Sequence, residues 1–75
     1  MPDVPSVSGK DAVRAFKRLG FFEVRTNASH VILKKEGHRF LLSVPVHANK
    51  DVKVGTLRGL IKASGHTLAE FVESL

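Results

Sequence analysis

The segment from Asn27 to His47, NASHVILKKEGHRFLLSVPVH, decides the fold, because it holds two apolar runs separated by a polar turn. The first run is Val31-Ile32-Leu33, which follows His30, and the second is Phe40-Leu41-Leu42-Ser43-Val44. Between them, Glu36-Gly37-His38 supplies turn chemistry. The pattern predicts a β-hairpin with His30 near its entrance. Because an isolated hairpin is marginal in water, the flanking segments must provide an apolar cover.

The length of the chain limits both its core and its sites. Its 75 residues form one domain, which we expect to span residues 1–75. Residues 1–7 contain two prolines and no periodicity, so they are predicted to be a short N-terminal arm, ordered only if something docks it. A chain this small buries about 60% of its unfolded surface. Any chemistry is therefore expected on an open surface, where a polymer could lie.

The charge balance favours a polyanionic partner. The chain has 12 Lys and Arg against 7 Asp and Glu, a formal net charge of +5 and a pI of about 10.1. The alternative is a basic surface that only keeps the protein soluble. The absence of cysteine excludes disulfides and thiolate sites. No apolar run approaches the roughly 20 residues of a membrane span, and no signal peptide is recognisable, so we expect a cytoplasmic protein.

The first helix is predicted from Ser8 to Leu19. Ser8 and Asp11 have the spacing of a capping box with Asp in place of Glu, and Gly20 follows as the C′ residue. Apolar residues recur at three- and four-residue steps and form the expected buried stripe: Ala12, Ala15, Phe16 and Leu19. Basic residues occupy the other side of the helix, either as a phosphate-contacting surface or as a solvated face: Lys10, Arg14, Lys17 and Arg18.

Three strands are expected to follow this helix. The first is predicted from Phe21 to Arg25, with Phe22 and Val24 on one face. In the third strand one parity is wholly apolar and should face the helices: Phe40, Leu42, Val44 and Val46. Pro45 cannot donate a ladder hydrogen bond, so the sheet is expected to end there.

Two more helices complete the predicted fold. After a polar loop at residues 47–53, a second helix runs from near Val54 to Ser64 and ends at Gly65. Thr67-Leu68-Ala69-Glu70 is a full capping box that opens a short third helix. The fold class is therefore α+β, a two-layer sandwich with helices on one face of an antiparallel sheet. Its α-β-β-β-α order, with a short extra C-terminal helix, is that of the double-stranded-RNA-binding domain.

The four histidines are the acid–base candidates near neutral pH. His38 in a turn and His66 between helices are expected to be structural. His47 lies at a strand end, where side chains often line a site. His30 follows Ser29 at the start of a strand and is the leading candidate for a catalytic group, the alternative being a satisfied, partly buried histidine. No two histidines are three to five residues apart, so a zinc site is disfavoured.

Five short motifs stand out in order along nearly the whole chain. They are Ser8-Gly9-Lys10-Asp11, Leu19-Gly20-Phe21, Ser29-His30, Val44-Pro45-Val46-His47 and Gly55-Thr56-Leu57-Arg58. In order and spacing they resemble the HicA toxin family of mRNA interferases. The family usually has Gly before Ser-His, where this chain has Ala28. Alanine does not readily adopt a positive φ, so this departure puts the local backbone in question more than the chemistry.

The resemblance implies a toxin of a type II toxin–antitoxin system that cleaves mRNA without the ribosome and is neutralised by a HicB-type antitoxin. It implies one essential histidine, which falls on His30, and we expect neither a metal nor a cofactor. Ser29 and His47 are possible auxiliary residues. The candidate RNA-binding residues are Lys10, Arg14, Lys17, Arg25, Lys34, Lys35 and Arg39. The alternatives are a non-catalytic RNA-binding module and a protein whose basic surface only receives an acidic partner.

Overall fold

The fold is described by a computed structural model that covers residues 4–75. Its elements are α1 (Gly9–Arg18), β1 (Phe22–Asn27), β2 (His30–Lys34), β3 (Leu42–Pro45), α2 (Val54–Ser64) and α3 (Leu68–Glu73). This order confirms the predicted α-β-β-β-α arrangement with a short additional helix. Within residues 4–75, no helix is long and apolar enough to cross a membrane.

The sheet is antiparallel, with strand order β1-β2-β3. Leu33 is paired with Leu42, and Val31 with Val44. Because paired residues share a face, these four side chains form one apolar surface, and three of them are fully buried beneath the helices. The other face of the sheet remains open. The two-layer α+β class predicted from the sequence is therefore correct.

The core is centred on Phe16 of α1. Its ring lies 5.0 Å from the ring of Phe71 and 6.0 Å from that of Phe21. Leu57 of α2 is also fully buried. The short third helix thus belongs to the core through Phe71. Such aromatic pairs contribute about 0.5–1.5 kcal/mol beyond the area they bury.

The helix ends follow the predicted capping signals. Ser8 Oγ accepts a hydrogen bond from the backbone N–H of Asp11 at 3.1 Å. Thr67 and Glu70 exchange both bonds of a capping box. Gly65 ends α2 with a left-handed φ of 79°, which glycine adopts without the steric cost of a Cβ.

The predicted N-terminal arm is docked where the structure describes it. Residues 1–3 lie outside the described residues. Val7 is buried in the core, and its carbonyl oxygen accepts a hydrogen bond from the backbone N–H of Val52 at 2.8 Å. Ser8 and Asp51 form an isolated antiparallel bridge. The chain before α1 is therefore tied to the segment that leads into α2.

Two details of the predicted strands were wrong. Phe40 was expected to face the helices but is 54% exposed, because β3 begins only at Leu42 and Phe40 belongs to the connection before it. The first strand runs from Phe22 to Asn27, and its register shifts between Glu23 and Arg25. The extra residue there, Val24, forms a bulge that breaks the simple alternation of faces.

Candidate active site

The turn between β1 and β2 places His30. Asn27 pairs with His30, so the hairpin has a two-residue loop of Ala28 and Ser29. Ala28 has a φ of 55°, and such loops commonly require a positive φ at their first central residue. The sequence analysis put the local backbone at Ala28 in question. In the structure, Ala28 does adopt a positive φ, which alanine disfavours. The Ser29 carbonyl oxygen accepts a hydrogen bond from the backbone N–H of Val46 at 2.6 Å, which holds the end of β3 beside the turn.

His30 projects on the open face of the sheet. It is the first residue of β2 and has the opposite parity to Leu33, which is buried under the helices. It pairs with Pro45 of β3 on its other side. The imidazole is exposed, and among residues 4–75 it makes no hydrogen bond or ion pair. This is the position of a side chain available to a ligand rather than of a satisfied core histidine.

His30 borders an open cleft of about 480 Å³. The cleft lies where the start of β2 and the end of β3 meet the polar loop and the first turn of α2. Its lining residues are His30, Ser43, Pro45, His47, Lys50, Asp51, Val52, Lys53 and Thr56. His30 and the later segment of residues 43–56 therefore form one site, and two of the four histidines lie in it.

The cleft combines positive charge with a helix terminus. Lys50 and Lys53 line it against one carboxylate, that of Asp51. Lys53 is the N-cap of α2, and within the described chain its side chain makes no capping bond and the first turn of α2 has no acidic residue. The N–H groups of that turn, together with the two lysines, suit an anion such as a phosphate.

The remaining histidines have structural contacts. His38 Nε2 donates to the Ala63 carbonyl oxygen at 2.6 Å. His66 accepts from Lys35 Nζ at Nε2, over 3.1 Å, and its Nδ1 lies 3.4 Å from a carboxylate oxygen of Glu70. The hydrogen bond from the Thr67 backbone, followed by that from His66, lowers the pKa of Glu70. These contacts join the β2–β3 connection to the corner between α2 and α3.

The seven predicted RNA-binding residues separate into distinct surfaces. Three of them, Lys10, Arg14 and Lys17, line a second groove of about 340 Å³ between α1 and the sheet. Arg25 and Lys34 lie on the open face, since they pair with Ile32 and Phe22. Arg39 is exposed in the β2–β3 connection. Lys35 is partly buried and its ammonium group is bonded to His66.

None of those seven lines the His30 cleft, whereas the predicted auxiliary residue His47 does. The other auxiliary candidate, Ser29, contributes its backbone carbonyl to the strand end, as described above. The site predicted from the sequence did not include Lys50, Lys53 and Thr56. The sequence feature that could have indicated them is the start of α2 at Gly55-Thr56, because helix N-termini are favourable places for anions.

No metal-binding cluster is present among the residues that the structure describes. Within residues 4–75, no three His, Asp or Glu side chains gather as a metal site would require. Asp51 is the one carboxylate at the cleft. Besides this carboxylate, the groups available at the cleft are two imidazoles, two ammonium groups, the hydroxyls of Ser43 and Thr56, and backbone N–H groups.

Comparison with known families assigns the chain to a class. The profile of a family described as "HicA toxin of bacterial toxin-antitoxin" matches residues 9–66, from the start of α1 to just beyond α2. The class is thus that of the toxin component of a bacterial toxin–antitoxin pair. The chain belongs to the HicA toxin family, which confirms the resemblance seen in its motifs. No curated protein matches the sequence.

Proposed function

We propose that this toxin is an endoribonuclease that cleaves mRNA, with His30 as a catalytic acid–base group, and that the whole chain forms one toxin domain acting in the cytoplasm. The observation that carries the proposal is the His30 cleft. There, an exposed imidazole lies beside a second imidazole, two ammonium groups and a helix N-terminus. These are groups suited to cleavage of a phosphodiester by an internal nucleophile, a transesterification that needs proton transfer and charge stabilisation.

RNA supplies that nucleophile as its 2′-OH. A base removes the 2′-OH proton, the O2′–P bond forms, and the P–O5′ bond breaks as an acid protonates the leaving oxygen. The products are a 2′,3′-cyclic phosphate and a 5′-OH, so electrons and protons balance without a further reactant. His30 performs one of the two proton transfers. His47 is the proposed partner for the other, because it lines the same cleft.

The negative charge that develops on the phosphorane needs stabilisation. Lys50 and Lys53 are the cations at the cleft, and the first N–H groups of α2 are available beside Lys53. We assign the scissile phosphate to this group of donors. The proposed chemistry uses no metal ion, since proton transfer and charge stabilisation both come from the chain.

The rest of the RNA is proposed to cross the basic surfaces on either side of the cleft. Val46 lines the groove of Lys10, Arg14 and Lys17, while its neighbours Pro45 and His47 line the His30 cleft. A strand leaving the cleft over this segment would enter the basic groove. Lys35 is left out of the proposed contacts because its ammonium group is bonded to His66.

Inhibition by the antitoxin is proposed to work through occlusion. The site is an open surface cleft on a small domain, so a HicB-type antitoxin that covers His30 would also exclude RNA. Carboxylates of the antitoxin could pair with Lys50 and Lys53 as phosphates otherwise would. Occlusion needs no second conformation of the toxin.

The test in cells is growth arrest on induced expression. Wild-type protein is expected to arrest growth and deplete mRNA, whereas His30→Ala does neither at an equal level of folded protein. Lys62→Ala is the matched control, because Lys62 is exposed in the last turn of α2, away from the cleft. Equal arrest by wild type and His30→Ala would refute the catalytic role. A non-catalytic RNA-binding module would give that result.

A further inference from the structure

The open face of the sheet extends beyond the His30 cleft and carries exposed side chains to which no role has yet been given. Three rows of paired residues lie on this face: Phe22 and Lys34; Arg25, Ile32 and Ser43; and Asn27, His30 and Pro45. Ile32 and Pro45 are partly buried, and the other six are exposed. Phe22 is 49% exposed. An exposed aromatic ring beside the cations Arg25 and Lys34 favours a ligand that has both a flat apolar face and negative charge.

The bulge at Val24 creates this combination. In a regular strand, Phe22 and Arg25 would project to opposite faces. The register shift between Glu23 and Arg25 brings Arg25 onto the face of Phe22. Bulges commonly redirect side chains in this way beside functional sites. The ring and the guanidinium group therefore share a surface because of one inserted residue.

The one carboxylate among the strand residues lies on the other side of the sheet, because Glu23 precedes the bulge and alternates normally with Phe22. Glu23 pairs with the buried Leu33, and its carboxylate lies 3.9 Å from Lys17 Nζ of α1. Among the strand residues of the open face there is no acidic side chain. The strand residues of this face thus present two cations and one aromatic ring without a competing anion. This favours a polyanion as the binding partner over a protein surface that carries charges of both signs.

The open face is continuous with the His30 cleft. Ser43, Pro45 and His30 belong to its rows and also line the cleft. Along β2, Lys34 lies four residues from His30, which corresponds to about 13 Å in a strand. A few nucleotides of a single strand can span this distance.

We propose that the open face is a binding platform for single-stranded RNA, on which a base next to the cleavage site stacks on Phe22 while Arg25 and Lys34 contact its phosphates. This rests on the proposed function, because it identifies the substrate as unpaired RNA. Base pairs inside a duplex are already stacked on both sides and offer no free face to the ring, so only the end pairs of duplex RNA could stack there. Stacking of this kind tolerates any base.

A tryptophan at position 22 provides a direct probe. The chain contains no Trp or Tyr, so in a Phe22→Trp, His30→Ala double variant all indole emission comes from the platform. Titration with a short single-stranded RNA is expected to quench that emission to saturation, whereas the same number of bases in a long RNA duplex should quench it far less, because only the two end pairs have a free face. Absence of quenching by the single strand would overturn the platform.

Affinity measurements with a matched pair of phenylalanines provide the second readout. In the His30→Ala background, Phe22→Leu is expected to weaken binding of a labelled single strand by about fivefold or more. Phe40→Leu serves as the control, since Phe40 is similarly exposed, at 54% against 49%, but lies outside the strands. An abasic strand should bind both variants equally. Equal affinities of both variants for normal RNA would refute stacking.

The two proposals fail in different ways. If wild-type protein cleaves RNA but Phe22→Trp reports no contact, the platform is wrong and the nuclease stands. If quenching occurs but the wild type leaves RNA intact, the platform stands and the nuclease is wrong.

Discussion

Replacing Ala28 by glycine is expected to stabilise the protein. Ala28 has a φ of 55°, and the left-handed region costs a residue with a Cβ roughly 1–2 kcal/mol. Glycine avoids that cost but loses about 0.5–1 kcal/mol more conformational entropy on folding. The balance favours Ala28→Gly by about 0.5–1 kcal/mol, which raises the Tm of a domain of this size by about 2–8 °C.

The assay is thermal and urea unfolding followed by far-ultraviolet circular dichroism, because the chain has no Trp or Tyr for fluorescence. Ala48→Gly is the matched control. Ala48 is also exposed in a turn, but it is not among the residues with positive φ, so there glycine should only destabilise. If Ala28→Gly lowered the Tm as Ala48→Gly does, the proposed strain at the entrance to His30 would be refuted.

Three further predictions concern charge, pH and the antitoxin. Lys53→Ala is expected to make the slope of log binding constant against log salt concentration shallower by about 0.7, the value of one phosphate contact to single-stranded RNA, as measured by filter binding. A slope as steep as that of Lys62→Ala would contradict the placement of the phosphate at Lys53. The pKa of Glu70 is lowered in the folded state by the Thr67 backbone and by His66, so its contribution to stability is present above the ordinary value of 4.5 and disappears as the pH falls through the lowered value. Urea titrations of wild type and Glu70→Gln should therefore converge at acidic pH, and a constant difference between them would argue against this contact. Finally, immobilised His30→Ala protein saturated with antitoxin should lose its RNA binding, and a ternary complex of undiminished RNA affinity would exclude occlusion.

The local features of the fold could be predicted from the sequence because they are encoded by near neighbours. The bounds of α2, at Val54 and Ser64, follow from a helical stripe bordered by a polar loop and Gly65. The hairpin entrance at His30 follows from the apolar run after it. The pattern alone thus located the histidine at a strand start, and the structure adds that its imidazole is exposed.

The composition of the cleft could not be predicted, because it depends on packing between distant segments. Lys50 and Lys53 reach the cleft through the docking of the loop against Val7 and the start of α1, and no periodicity encodes that contact. The bulge at Val24 was also missed, since a strand pattern assumes regular alternation. It changes which face Arg25 occupies.

The central claim is that His30 performs proton transfer in metal-independent RNA cleavage. The most direct test incubates purified protein with single-stranded RNA in EDTA and identifies the product ends by mass spectrometry. We expect the wild type to produce 2′,3′-cyclic phosphate and 5′-OH ends, and folded His30→Ala to bind RNA without cleaving it. Cleavage that appears only with an added divalent ion, ends that are solely 5′-phosphate and 3′-OH, or undiminished cleavage by His30→Ala would contradict the claim.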